Sequence, residues 1–156
     1  MKKMKPGKKS TVKFYIFLII TILLMGTILF FSSQVSHASD EQSGYLVELL
    51  QKLMGKSLQG EAFDTVVFLV RKGAHFSEYL LLGLFFSLTV KEKRTFLGKE
   101  FALCTLGCAL YAVTDEIHQQ FVPGRSCEFR DICIDASGAA LGCFLIWMIS
   151  RAKRRK

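Results

Sequence analysis

Four apolar stretches, Phe14 to Phe31, Val66 to Val90, Ala102 to Phe121 and Asp131 to Ile149, each approach the length of a membrane crossing. About 20 helical residues at 1.5 Å per residue traverse roughly 30 Å of hydrocarbon, where every backbone N–H and C=O must be satisfied within the segment. Four such helices use most of the 156 residues and leave little for a second, soluble domain. The expected fold is therefore all-α, an integral membrane bundle of four transmembrane helices.

The net charge of +8 would suit a nucleic-acid partner, but its placement argues against one. Lys2, Lys3, Lys5, Lys8, Lys9 and Lys13 precede the first apolar stretch, Lys91, Lys93, Arg94 and Lys99 follow the second, and Arg151, Lys153, Arg154, Arg155 and Lys156 follow the fourth. The connection from Ser32 to Thr65 is acidic, with Lys52 and Lys56 against Asp40, Glu41, Glu48, Glu61 and Asp64. Basic residues beyond alternate helix ends mark the cytoplasmic side and meet anionic lipid there. The expected organisation is a basic cytoplasmic N-terminus (1–13), a first span (14–31), an outer loop (32–65), a second span (66–90), a basic cytoplasmic loop (91–101), a third span (102–121), an outer turn (122–130), a fourth span (131–149) and a basic cytoplasmic tail (150–156). Both termini are then cytoplasmic, and the chain crosses its membrane several times.

Three local features refine this plan. The Lys-rich start, the apolar run and Ser36-His37-Ala38 together read as a signal sequence, but the apolar run exceeds the usual length of one, so a retained anchor is expected; cleavage would leave three helices in the same orientation. Within the outer loop, Tyr45 to Met54 has apolar residues at helical spacing and is expected to form a short helix at the outer interface. Val122-Pro123-Gly124-Arg125 places Pro and Gly where a type II turn requires them, which makes the third and fourth helices antiparallel neighbours. Of five Cys, Cys104, Cys108 and Cys143 read as packing residues, whereas Cys127 and Cys133 lie near the outer face, where they could pair.

Each of the last three apolar stretches carries ionisable residues, which cost about 2.5–3.5 kcal/mol apiece at the centre of a lipid-facing helix and are therefore expected to face inward. On the second, Arg71, His75, Glu78 and Leu82 form one narrow stripe, with Lys72 off it, and Glu78 about 18 Å deep near the midplane. On the third, Asp115, His118 and Gln119 share a face while Glu116 points elsewhere. On the fourth, Asp131, Asp135, Gly138 and Gly142 share a stripe, and the two glycines permit close helix contact. All three sets fall in the outer half of the membrane. Glu78 and Asp135 suit a general base, and His75 and His118 an acid. Arg71 and Arg125 suit an anion, with Asp115, Gln119 and Asp131 as further ligand contacts, and Pro123, Gly124, Gly138 and Gly142 as structural residues. The pairs HxxE, DxxH and DxxxD each offer two O or N donors, so a divalent metal fits chemically, but no spacing dictates a complete ligand set and a metal is not favoured. Buried locks that merely fix helix register are the bland counterpart for each pair.

The strings RKGAHFSEYLLLG, TDEIHQQFVPGRSCEFRDICIDASGAALG and, after the first apolar run, FSSQ together resemble the VanZ-like family of small bacterial membrane proteins, with the likeness running over about residues 31–149. The matching positions are Arg71, Lys72, His75, Glu78 and Tyr79; Asp115, Glu116, His118, Gln119, Phe121, Pro123, Gly124 and Arg125; and Asp131, Asp135 and Gly138, with Ser33 and Gln34 matching more loosely. The resemblance implies a Gram-positive plasma membrane and a cell-envelope role, the family's namesake being linked to low-level resistance to teicoplanin, a lipid-tailed glycopeptide.

Three functions suit these residues. A binding protein would act on or shield a lipid-linked cell-wall precursor or lipoglycopeptide at an outward-facing polar pocket. An intramembrane enzyme, acid/base or metal-assisted, would turn over a lipid-linked substrate, although no GxSxG nucleophile elbow is present. A small proton-coupled transporter is the third, for which four helices make a narrow scaffold unless the chain oligomerises.

Overall fold

The computed structural model describes residues 11–55, 57 and 59–155, so the basic stretch up to residue 10, Lys56 and Lys156 lie outside the described residues. These form five helices and no strand: α1 (Thr11–Ser32), α2 (Ser36–Met54), α3 (Glu61–Lys93), α4 (Gly98–Gln119) and α5 (Phe129–Arg155). Among the described residues three helices, α1, α3 and α5, are long and apolar enough to cross a membrane. The all-α expectation holds. The outer-loop helix starts nine residues earlier than Tyr45, and the Ser36-His37-Ala38 stretch is its first turn.

Charges at the helix ends follow the backbone dipole. Acidic Glu61 and Asp64 occupy the first turn of α3 and basic Lys91 and Lys93 its last, while α5 opens with Asp131 and closes with Lys153, Arg154 and Arg155. At the start of α4, the Glu100 carboxylate accepts the Leu97 backbone N–H at 3.0 Å. Helix α2 stops at Gly55, whose φ of +65° lets its N–H reach the Gln51 carbonyl.

Helix α3 is the central element and packs against all four others, most extensively against α5. The α3–α5 contact is built from glycines. A Cβ at Gly138 would overlap the Phe76 carbonyl oxygen, one at Gly142 the Leu80 carbonyl oxygen, and one at Gly83 the backbone of Ala139. Small residues let two backbones touch where lipid offers no hydrophobic drive to association. Around this seam Ile28, Tyr79, Leu82, Cys108, Ala112 and Ala139 form one buried cluster, and Phe96, Cys104, Cys143 and Ile146 a second. The three Cys expected to pack do so, and Cys143 donates its thiol hydrogen to the Gly83 carbonyl at 3.4 Å. Cys127 and Cys133 are both exposed and free, so the disulfide open to them is not formed.

Around these clusters much of the surface is apolar as well. Helix α1 buries Thr21, Ile28 and Ser32 while exposing Ile16, Ile19, Leu23 and Phe30, and Thr21 and Thr89 hydroxyls meet at 3.3 Å between α1 and α3. On α2, Tyr45, Leu46, Leu49, Leu50 and Leu53 form an exposed apolar stripe while Ser43 and Val47 pack inward. Contiguous exposed apolar faces of this kind are matched by lipid, not by water.

Candidate functional site

A cavity of about 80 Å³ lies between α3, α5 and the α4–α5 connection. The connection is fixed by its turn: the Arg125 N–H bonds the Val122 carbonyl at 3.1 Å and Gly124 has a φ of +78°, as a type II turn requires. Arg125 is thereby returned across the cavity mouth. From α3 the lining side chains are Phe68, Arg71, Lys72 and His75, from α4 Glu116 and Gln119, and from α5 Arg130, Asp131 and Asp135. Polar residues from three helices thus meet at the cavity, but its lining lacks Glu78, Asp115 and His118 and includes Lys72 and Glu116.

Lys72, placed off the α3 stripe by helical spacing, lines the cavity and ion-pairs with Asp131, both side chains largely buried. Helix α3 has neighbours on several sides, so its polar face is wider than the stripe through Arg71, His75 and Glu78. Glu78 does not line this cavity; it borders an adjoining groove of about 220 Å³ between α1, α2 and α3, which Arg71, His75 and Arg125 also reach. On α4 the inward face is the one bearing Ala112, Asp115, Glu116 and Gln119, all buried. Glu116 therefore points inward, contrary to expectation, and its Oε1 accepts the Glu128 backbone N–H at 2.7 Å. His118 lies on the exposed edge instead, its Nε2 3.0 Å from Ser33 Oγ. Because the Ser33 hydroxyl gives its one proton to the Leu29 carbonyl at 2.6 Å, His118 is the donor in that pair.

The cations divide into two kinds. Arg71 pairs with Asp40 of α2, Lys72 with Asp131, and Arg130 with Glu128 at 2.8 Å. All three surround the Phe68 ring, with Arg130 5.1 Å, Lys72 5.3 Å and Arg71 5.9 Å from its centroid, a cation–π arrangement. Arg125 is different. Its Nε donates to the Gln34 carbonyl at 2.9 Å and its guanidinium to Gln119 Oε1 at 3.1 Å and the Phe31 carbonyl at 3.4 Å, and no carboxylate pairs with it among the described residues. Burial, with Arg71 nearby, lowers Arg125 from an ordinary arginine's basicity, and the Asp115, Asp40 and Glu116 carboxylates only partly oppose that shift. Ser33 and Gln34, the loosest part of the sequence likeness, accordingly hold His118 and Arg125 in place.

Behind the cavity lie the residues able to ligate a metal. His75, Asp115 and Asp135 each bring one donor atom, all within 4.8 Å of one another. Each comes from a different one of the pairs HxxE, DxxH and DxxxD, and the second member of every pair, Glu78, His118 or Asp131, falls outside the group. Asp115 Oδ2 accepts a long bond from Gln119 Nε2 at 3.4 Å; the Tyr79 and Ser32 hydroxyls lie near Asp115 without a hydrogen bond of normal geometry, and His75 Nδ1 is buried with no partner. Phe68, Arg130 and Glu128 escaped sequence reasoning. Phe68 stands one turn before Arg71, a spacing that would have identified it.

In a comparison with protein families, the VanZ/LLP1 model matches residues 17–150. Nothing among curated proteins or solved structures matches the chain at a significant level.

Proposed function

The chain belongs to the VanZ/LLP1 family, and from that premise we propose that it is a four-span plasma-membrane protein whose outward-facing cavity holds the anionic head of a lipid-linked cell-envelope precursor, shielding it from lipid-tailed glycopeptides such as teicoplanin. The observation that carries this reading is Arg125: a part-buried guanidinium at the cavity mouth, positioned by backbone carbonyls and an amide and left without a carboxylate. A guanidinium so placed matches phosphate or carboxylate oxygens by paired N–H bonds.

Several features support the membrane arrangement. Helix α4 spans about 33 Å at 1.5 Å per residue, and the residues that depress its hydropathy, Asp115, Glu116 and Gln119, are buried where lipid does not meet them. Counted as a span, it brings the basic ends of α3 and α5 to one side, in keeping with cytoplasmic placement. The cavity, the α4–α5 turn and the apolar stripe of α2 then share the outer side.

The second reading, an intramembrane enzyme, is favoured by the His75, Asp115 and Asp135 group immediately beneath the cavity. Teicoplanin susceptibility of a Gram-positive host separates the two, with membrane levels matched by immunoblot. Shielding predicts that Arg125→Gln abolishes protection while Glu78→Gln and His118→Ala preserve it. Protection by Arg125→Gln equal to wild type sinks the anion site, and loss of protection with Asp135→Asn while precursor binding persists would favour turnover.

A further inference from the structure

Behind the cavity, α3, α4 and α5 each aim one side chain at a common point: His75, Asp115 and Asp135, their donor atoms within 4.8 Å of one another. We propose that these three residues bind a divalent first-row transition-metal ion of the zinc or manganese type. The site is distinct from the anion-binding reading above, which rests on Arg125.

Three observations carry it. The first is unmet hydrogen-bonding capacity: Asp115 is fully buried, yet no hydrogen bond of normal geometry reaches its Oδ1, which has only the Tyr79 and Ser32 hydroxyls nearby, and His75 Nδ1 is buried with no partner at all. Buried polar atoms are otherwise almost always satisfied, and such exceptions call for an absent water or ion. The second is charge. Each nearby cation is committed elsewhere, Lys72 to Asp131, Arg71 to Asp40 and Arg125 to Gln119 and two carbonyls, so no Lys or Arg ion-pairs with Asp115 or Asp135 among the described residues. Two carboxylates and a neutral imidazole sum to the charge that a divalent cation cancels. The third is donor chemistry. Calcium takes six to eight oxygens and magnesium keeps several waters, whereas mixed carboxylate and imidazole donors suit zinc, manganese or iron.

Three protein ligands leave at least one coordination position open, as in hydrolytic zinc sites. His75 and Asp135 both line the cavity, so that position faces it. Ligand atoms around a tetrahedral ion stand about 3.3 Å apart for bonds near 2.0–2.1 Å. Binding therefore requires side-chain rotations that draw the donors inward, without helix movement.

The test uses the full chain purified in detergent, dialysed separately against buffered Zn²⁺ and Mn²⁺, with bound metal measured by mass spectrometry. Wild type should hold about one ion per chain. His75→Ala, Asp115→Asn and Asp135→Asn should each weaken binding at least tenfold while His118→Ala matches wild type. Folded wild type that takes up neither ion, or an Asp115→Asn/Asp135→Asn double variant that binds as wild type does, overturns the site and leaves a metal-free hydrogen-bonded lock. Should the Asp variants lose helical circular dichroism, Co²⁺-loaded wild type decides: a visible d–d band shifted by ligation supports the site, and the spectrum of hydrated Co²⁺ refutes it.

Discussion

Replacing Gly138 by Ala sets two effects of known size against each other. Alanine favours a helix interior over glycine by about 1 kcal/mol. At position 138, however, the added Cβ would overlap the Phe76 carbonyl oxygen and lie 3.3 Å from the Leu80 nitrogen. Both obstacles are backbone, so no rotamer change relieves them and α3 and α5 must separate, for which overpacking costs of about 1–3 kcal/mol are typical and the upper half of that range is expected. The net result is a loss of about 1–2 kcal/mol. Adding Gly142→Ala, whose Cβ would overlap the Leu80 carbonyl, should cost less than a second full increment, because one separation relieves both overlaps. Gly73→Ala on α3 is the control: nothing lies within 4 Å of its Cβ, so it should be neutral or stabilising by up to about 1 kcal/mol. Unfolding midpoints in SDS, followed by loss of helical circular dichroism, rank the variants. Gly138→Ala as stable as Gly73→Ala would refute backbone contact at this seam.

Glu116→Ala should destabilise by about 1.5–3 kcal/mol because it leaves the Glu128 N–H unmet, whereas Glu116→Gln keeps an acceptor and should lose less than half as much in the same assay; equal losses would mean the bond is not the cause. Membrane-impermeant maleimide applied to intact cells should label exposed Cys127 and spare buried Cys104, Cys108 and Cys143. In a cysteine-free background, Arg154→Cys should label only after permeabilisation, and labelling of Arg154→Cys in intact cells would invert the proposed orientation.

Much of the architecture was legible because membrane helices announce themselves by length and apolarity. Phe14 to Phe31 lies within α1, Val66 to Val90 within α3, and the Pro123-Gly124 turn stands between α4 and α5. Gly138 and Gly142 were legible for a related reason, since two small residues one turn apart on a polar stripe have few other uses in lipid. Lys72, Glu116 and His118 were misplaced because spacing at 100° per residue ranks residues relative to each other but does not state which direction is inward. That direction depends on neighbours. Once Ala112 faces the core, Asp115, Glu116 and Gln119 follow it and His118 cannot. The group of His75, Asp115 and Asp135 was hidden more deeply: each within-helix pair offers two donors, and only the packing of three helices selects one from each.

The glycine seam also governs how the bundle answers changes in bilayer thickness. Helices meet a thinner or thicker membrane by tilting, and tilt displaces each atom in proportion to its distance from the fulcrum. Where α3 and α5 touch backbone to backbone, the fulcrum lies along the contacts that run from Phe76 and Gly138 to Gly83 and Gly142, and its near end is one residue from His75 and three from Asp135. Those two side chains sit where the lever arm is short, whereas the basic ends of both helices lie farther out. Lipid composition can thus swing the basic ends while leaving the spacing of His75 and Asp135 almost unchanged, so the bundle can tolerate growth-dependent changes in its membrane without detuning its polar centre.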